Sequence, residues 1–497
     1  MIRTSPPRGW SAGRGRRKQR GQALVYGLFM LMAGLAALFF LFNTGQLARE
    51  KTKLVNTADA VALSAGMMNA RALNFDAYNN RALIANEVLV AQMVSISSWS
   101  KFVVERSENL GSVFPECNVP PSAGWAAVIA AISTQRKFDV PYAIMCFAVV
   151  NYLDEYISEL REIVPPVTET IVRFVEGQKR AIQISQQLLH APMVFEHLRG
   201  DLMQEVADAN YANDGSVKAG PRNKVEHLTL PMTDDWAGFT SAYSGNQRGR
   251  FAEVTKKAAA TDEFVDNRSW TAKATLPVVD ASACIGRFNE VRRRGGTELV
   301  GYDKWQAEDT ESFWEWRRRR WFGCRRVEQP IGWGAQAAYP PGRGSASGSP
   351  RLGGSPADNP RASAEARSSS GDWHVYTGLP TFYELSQTQL NKTEAPRMRM
   401  AVRLTREHDQ ALISGARSDI QRSERLNRLD AHLAGGVMAA VSSSEVFFDR
   451  PPASPKNPRG GPYEAGSLFN PFWQARLVET SAADLALARL KQGLAGP

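Results

Sequence analysis

The sequence has few of the side chains that build catalytic and metal centres. Only four cysteines and six histidines occur among its 497 residues, and no two cysteines form a C-x-x-C pair. This argues against a structural zinc site and a dithiol redox centre. The patterns G-x-S-x-G, H-E-x-x-H and G-x-x-x-x-G-K-[ST] are also missing, so no nucleophile elbow, zinc-protease helix or phosphate loop is indicated. We therefore predict a protein that is not an enzyme and needs no metal or cofactor.

The closest approaches to a metal site are incomplete. His190 and His197 are seven residues apart and could share a helix face, but no carboxylate or cysteine completes a ligand set. The segment from Asp280 to Cys284 is similar to the D-x-S-x-S start of a metal-dependent adhesion site, with Cys284 where the second hydroxyl should stand. We expect a packed or surface histidine pair and no metal ion.

Acidic residues are absent from the first 22 positions, where basic residues are frequent. The basic residues are Arg3, Arg8, Arg14, Arg16, Arg17, Lys18 and Arg20. Residues 23–42 follow as an uncharged apolar run, and twenty helical residues span about 30 Å, the hydrocarbon thickness of a bilayer. Basic flanks stay on the cytoplasmic side. The sequence thus predicts a cytoplasmic tail over 1–22, a transmembrane helix over 23–42, contact with membrane lipid, and the rest of the chain across the membrane.

Two other interpretations of the apolar run fit less well. A cleaved signal sequence has a shorter apolar core, of about 7–15 residues, and a small-residue cleavage site; the residues after Phe42 contain no clear A-x-A step. A buried helix of a soluble protein would not explain the dense basic flank. We favour a retained single-pass anchor in a bacterial inner membrane, with the C-terminal region in the periplasm.

The positive net charge does not indicate a nucleic-acid-binding protein. The chain carries a formal charge of +10, and seven of these charges belong to the tail. The excess of basic residues is therefore mainly a topology signal. No nucleic acid is expected as a partner.

A seven-residue apolar repeat follows the predicted span, over residues 43–110. Such a repeat keeps one narrow seam on a helix face, as in a coiled coil. The seam residues are Leu47, Leu54, Ala58, Val61, Ala65, Met68, Ala72 and Phe75. The pattern predicts a membrane-proximal amphipathic helix that packs within its own domain or, alternatively, against a second copy in a homo-oligomer.

The remaining sequence predicts an α+β fold in which the single N-terminal transmembrane helix continues into the long amphipathic helix. A mixed α/β periplasmic region with disordered loops follows. Residues 111–220 read as helical and 221–338 as a mixed strand region. Residues 339–372 are poor in large apolar side chains and predict a disordered linker. Residues 373–497 form a C-terminal α/β segment, with strands expected near 398–404 and a helix over Ala482–Gln492.

Four cysteines follow the span, on the side that we expect to be oxidising. They are Cys117, Cys146, Cys284 and Cys324. Four cysteines allow three pairings; pairing of neighbours, Cys117 with Cys146 and Cys284 with Cys324, is the simplest of them.

The densest basic stretch lies between positions 317 and 326 and is interleaved with tryptophans. Its arginines are Arg317, Arg318, Arg319, Arg320, Arg325 and Arg326. Such a stretch could bind an anionic polymer, which would make the protein a membrane-anchored periplasmic or surface adhesin. A solvated basic strand or an acidic partner surface is the simpler interpretation.

The N-terminal region resembles the TadE/TadG-like proteins of Flp (tight-adherence) pilus assembly. The resemblance rests on Gly21-Gln22-Ala23-Leu24-Val25 after Arg20, on the span, and on the run from Asn56 to Ala65, NTADAVALSA. It covers residues 20–90, under a fifth of the chain. It implies a non-enzymatic, single-pass inner-membrane protein whose partners are other pilus-assembly or secretion-system proteins.

One departure from the family pattern affects the predicted role. Prepilin-like members are cleaved after a glycine and carry glutamate five residues later, whereas Tyr26 stands at that distance from Gly21. The resemblance therefore implies a retained, uncleaved subunit. We predict that it acts by helix packing and by periplasmic protein–protein contacts.

Overall fold

A computed structural model describes the chain over residues 22–113, 154–212, 214, 217–220, 232–273, 284, 286–319, 323–342, 358–369, 371–407, 437–451 and 464–492. The basic tail, Gly21, Cys117 and Cys146 lie outside these residues, as do Arg320 and Asp280.

Helix α1 runs unbroken from Gln22 to Val113, over 92 residues. No proline occurs in it, and prolines are the residues that most strongly break a helix interior. At about 1.5 Å per residue the helix is roughly 140 Å long. The predicted span and the predicted membrane-proximal helix are thus parts of one continuous helix.

The other elements form helices and antiparallel strands around α1. The further helices are α2 Asp154–Ser158, α3 Leu160–Leu189, α4 Val194–Asn210, α5 Gly249–Ala259, α6 Glu263–Asp266, α7 Pro360–Ser368, α8 Gln387–Leu390 and α9 Ala482–Leu490. The strands are β1 Lys218–Gly220, β2 Thr240–Tyr243, β3 Trp270–Lys273, β4 Glu290–Val300, β5 Lys304–Arg318, β6 Cys324–Ala338, β7 Phe382–Leu385, β8 Arg397–Glu407, β9 Val437–Phe448 and β10 Trp473–Val478. The architecture is α+β, as the sequence predicts.

Two four-stranded sheets pack against successive parts of α1. The first has the order β1-β8-β9-β10 and the second is the meander β3-β4-β5-β6. Strands β2 and β7 form a separate two-stranded ribbon. Helices α3 and α4 also contact α1, so its middle and C-terminal parts are buried between helices and sheets, which explains their low exposure.

Helix α7 lies inside the stretch 339–372, where composition predicts a disordered linker; for Pro360–Ser368 that prediction is wrong. Small side chains let this helix lie close to the second sheet, and Ala362 and Ala366 are fully buried. The Glu328 carboxylate accepts hydrogen bonds from the backbone N–H groups of Arg361 and Ala362 at the helix start, where negative charge stabilises a helix. The prediction of disorder is based on the scarcity of large apolar residues, and it therefore does not anticipate a helix that packs through alanine side chains.

Candidate functional site along the long helix

The first part of α1 presents large apolar side chains on every side. Within residues 23–42, Leu24 is 78% exposed and Phe40 is 71% exposed. An 18-residue window there has a mean hydropathy of 2.4, and none of it is buried. Thr44, just beyond, donates its hydroxyl hydrogen to carbonyl oxygens of the preceding turn, which satisfies the group locally. By length and composition this part of the helix can cross a membrane.

The predicted seam residues are covered by the chain's own elements beyond the exposed segment. Leu54, Ala58, Val61 and Ala65 are fully buried in a cluster with side chains of α4 and β8. Further along the helix, Ala72 is buried and Met68 is partly buried, Leu47 packs at the edge of the first cluster, and Phe75 remains 42% exposed. The seam is therefore an intramolecular contact over most of its described length.

A row of buried polar side chains also runs along α1, and it makes the buried face wider than the predicted seam. The row consists of five residues, and each of them forms a hydrogen bond or an ion pair with a residue elsewhere in the fold. They are Asn69 with Arg199, Asp76 with His190, Asn80 with the carbonyls of Tyr383 and Leu468, Glu87 with Lys179, and Ser98 with Asp309. Buried polar groups are costly unless paired, so this row fixes the rotation and the register of α1 in the fold.

The most enclosed member of the row is Glu87, whose side chain is fully buried. Its carboxylate is 2.6 Å from Lys179 Nζ and accepts hydrogen bonds from Trp305 Nε1 at 2.9 Å and from the Tyr376 hydroxyl at 2.8 Å. Lys179 also pairs with Glu176 at 2.6 Å. Burial, and next the Glu87 charge, raises the pKa of Tyr376 well above its usual value, so this phenol remains a donor. One buried site thus joins α1, α3 and β5.

A second buried charge cluster lies where α1 meets the second sheet. Asp309 of β5 is fully buried and contacts Arg268 at 2.8 Å, Arg293 at 2.6 Å and the Ser98 hydroxyl at 2.6 Å. Burial acts to raise the pKa of Asp309, but the two guanidinium groups outweigh it, and the pKa lies below the usual value of 3.8. The ionised carboxylate therefore holds β4, β5 and α1 together.

This lowered pKa predicts an acid-dependent loss of stability. Because the folded-state pKa of Asp309 is lower than the unfolded one, its contribution is fully present above pH ~4 and is lost as the pH falls through the folded value. In Asp309→Asn this part of the acid dependence should disappear, and stability at pH 7 should fall by about 3 kcal/mol because two buried arginines lose their counter-charge. Urea unfolding at pH 7 and pH 3.5 measures both effects. An unchanged acid slope in the variant would contradict the assignment.

Strand β6 approaches the backbone of α1 so closely that only glycine fits. A Cβ atom on Gly334 would lie 2.3 Å from the Ser98 carbonyl oxygen and 2.5 Å from the Phe102 amide nitrogen. Neither is a flexible side-chain atom, so the strand or the helix would have to move.

Gly334→Ala should therefore lower the free energy of unfolding by about 1–3 kcal/mol, the usual cost of overpacking. Gly249→Ala is the matched control, because a Cβ there has its nearest neighbour, the Tyr302 hydroxyl oxygen, at 3.5 Å. Thermal unfolding of the two variants compares them directly. Equal melting temperatures for both would show that the approach of strand and helix is looser than described.

Comparison with known families concerns the first part of this helix. Residues 21–71 match the Tad family model, "Putative Flp pilus-assembly TadE/G-like". The match spans about a tenth of the chain and contains the exposed apolar segment and the first part of the buried seam. This match confirms the resemblance to TadE/TadG-like proteins that the motifs beginning at Gly21 and Asn56 predict. It also supports involvement in Flp pilus assembly. No curated protein and no solved structure matches the chain.

The TadE/G-like segment ends before most of the buried polar row, of which it contains only Asn69. The next member, Asp76, binds His190 through a 2.7 Å contact between Oδ2 and Nε2. The imidazole also stacks on Tyr383, with ring centroids 4.0 Å apart. Burial raises the pKa of Asp76, against the opposing effect of His190. His190 therefore has a packing role, whereas His197 is exposed.

The described residues of the predicted basic stretch lie at the tip of the hairpin between β5 and β6, where Arg317 pairs in register with Arg325. Arg326 forms an ion pair with Glu290, and its guanidinium lies 5.3 Å from the centroid of the Trp314 ring. Arg317 contacts Glu315 at 2.7 Å. Two of these charges are thus already compensated within the protein, and the adhesin interpretation gains no support.

Arg318 and Arg319 are exposed at the end of that hairpin. At the same end of the hairpin, Cys324 pairs in register with Arg318 and forms a disulfide with Cys284, with a Cα–Cα distance of 5.7 Å. This is the neighbour pairing expected for these two residues. The bond joins the chain ahead of β4 to the start of β6. Within the part of the chain that the structure describes, no cluster of three or more histidine, cysteine or acidic side chains could hold a metal ion.

Proposed function

We propose that this protein is a non-enzymatic, single-pass inner-membrane component of Flp/Tad-type pilus assembly. In this proposal the basic tail lies in the cytoplasm, residues 23–42 cross the membrane, and the folded region lies in the periplasm. The observation that carries it is the continuity of α1: the helix matched by the TadE/G-like model is apolar and exposed at one end and is the central core helix at the other.

This continuity supports a mechanical role. Because one helix serves as both anchor and core, the folded region cannot turn independently of the membrane segment as it would on a flexible linker. It would present a fixed surface to other pilus-assembly or secretion proteins at a defined height above the bilayer. The disulfide between Cys284 and Cys324 suits an oxidising periplasm. No catalytic step is assigned.

Deletion and complementation in the source bacterium test this proposal. We expect the deletion strain to lose Flp pili while still making the pilin, and the wild-type gene to restore the fibres. Co-purification from detergent-solubilised membranes should recover other proteins of the pilus machinery. Normal numbers of pili in the deletion strain would overturn the proposal.

A further inference from the structure

Helix α3 carries a regular apolar stripe on the face that points away from α1. Its large members are Ile163, Val167, Phe174, Ile184 and Leu188, each between 52% and 66% exposed. The opposite face of the same helix is buried against α1. Isolated exposed apolar residues are normal on a protein surface, but an aligned row along about 38 Å of helix marks an interaction surface.

The spacing of the stripe is that of a two-stranded coiled coil. Val167, Phe174 and Leu188 occupy the first position of a seven-residue repeat, and Ile163 and Ile184 occupy the fourth. A strict repeat of this kind produces a narrow seam that fits another helix of the same repeat. We propose that α3 pairs with α3 of a second copy of this chain, as a parallel two-stranded coiled coil.

The middle of the stripe is built for close approach of two helices. Gly177 and Ala181 fill the fourth and first positions between the larger side chains, and nothing lies within 4 Å of a Cβ placed on Gly177. In a paired helix this space would receive the partner's Phe174 ring. A solvent-facing helix gains nothing from glycine at its centre, where it costs about 1 kcal/mol relative to alanine.

The direction of α1 sets the direction of the pair, an argument that rests on the proposed single-pass insertion. Helix α3 runs antiparallel to α1: Arg161 contacts Glu105, and Lys179 contacts Glu87, nearer the membrane end. Two copies inserted in the same sense are related by a two-fold axis along the membrane normal. Such an axis keeps the two α3 helices pointing in the same direction.

Charge distribution beside the stripe agrees with the parallel arrangement. In a parallel pair the seventh position of one repeat faces the fifth position of the next repeat on the partner. Arg173 would then face Gln178 and Arg180 would face Ser185, with no like charges opposed. An antiparallel pair centred on Gly177 would instead bring Arg173 and Arg180 of the two chains opposite each other.

Cysteine cross-linking in native membranes tests the proposal with the full chain. Val167→Cys, Ala181→Cys and Leu188→Cys should each give a covalent dimer under mild oxidation, because residues at these positions face their own counterparts within disulfide reach. Ala483→Cys, on an exposed position of α9, is the matched control. We expect about tenfold more dimer from Ala181→Cys than from this control, given the distance that a disulfide requires.

The other outcomes decide against the proposal. Cross-linking at only one of the three positions would indicate an antiparallel pair. Protection of Ala181→Cys from maleimide without a dimer would show that another segment or a different protein covers α3. A dimer of Ala181→Cys that survives the added change Phe174→Glu, at an unchanged melting temperature, would show that Phe174 does not lie in the contact. Failure of cross-linking in cells that still assemble pili would overturn this inference alone and leave the proposed function standing.

Discussion

Lys179→Ala is expected to lower the free energy of unfolding by about 3–5 kcal/mol, because it removes one partner of a buried ion pair. Glu87 would remain fully buried beside Glu176, with only the Trp305 and Tyr376 donors to stabilise its charge. The site joins three elements, so its loss should affect the whole folded region and not one helix end. Urea unfolding of the detergent-solubilised chain, followed by tryptophan fluorescence, measures the change.

Lys256→Ala is the control for this change, since Lys256 is exposed on α5 and surface substitutions usually stay within about 0.5 kcal/mol. The double variant Glu87→Leu with Lys179→Met removes both charges together and should recover part of the lost stability. If Lys179→Ala unfolds at the same urea concentration as the control variant, the buried pair does not contribute as described.

Arginine substitutions in the apolar segment should produce the second large effect. Leu31 and Leu38 are 60% and 64% exposed near the middle of the segment, and each Leu→Arg change there costs about 3 kcal/mol of membrane insertion. The variant with both substitutions, Leu31→Arg and Leu38→Arg, should therefore no longer be found in the membrane fraction. Leu485→Arg makes the same substitution at an exposed site of α9 and should leave fractionation unchanged.

Extraction of membranes with alkaline carbonate distinguishes integral from peripheral attachment of these variants. The wild-type chain and Leu485→Arg should remain in the pellet, whereas the double arginine variant should appear in the supernatant or be degraded. A double variant that stays in the pellet as the wild type does would mean that residues outside 23–42 hold the protein on the membrane.

Much of the α-helical frame was predictable from local sequence. Uninterrupted helix-forming residues without proline predict α1, and the apolar run predicts the exposed part that is able to span a membrane. The strand expected near 398–404 lies within β8, and the helix expected over Ala482–Gln492 corresponds to α9, which begins at the Ser481 cap. These features depend on residues close together in the chain, so a single sequence contains the information.

The buried polar row could not be predicted from the sequence in the same way. Asn69, Asp76 and Asn80 read as solvent-facing residues of an amphipathic helix, because polar side chains are usually exposed. Their partners lie more than 100 positions away along the chain, and no local sequence pattern indicates which residues will pair. A signal was nevertheless present: the polar positions 69 and 76 repeat at the same seven-residue interval as the apolar seam.

Glycines in β6 show a similar limit. Gly332 and Gly334 read as breaks in a strand pattern, whereas in the fold they let the strand touch the α1 backbone. Glycine within a strand often marks such a close approach, but the approaching element cannot be named from the sequence. The spacing of the stripe on α3 is visible in the sequence, but only the structure shows that, among the described residues, this face is exposed and the opposite face is buried.

Site-specific labelling tests the central claim, that α1 anchors the folded region in the periplasm with the tail in the cytoplasm. Ala483→Cys and Ser11→Cys are each treated with a membrane-impermeant maleimide in cells whose outer membrane has been permeabilised, with the unsubstituted chain as background. The account predicts labelling at position 483 in these cells and labelling at position 11 only after the inner membrane is opened. Labelling at position 11 first, or at both positions only after lysis, would contradict it.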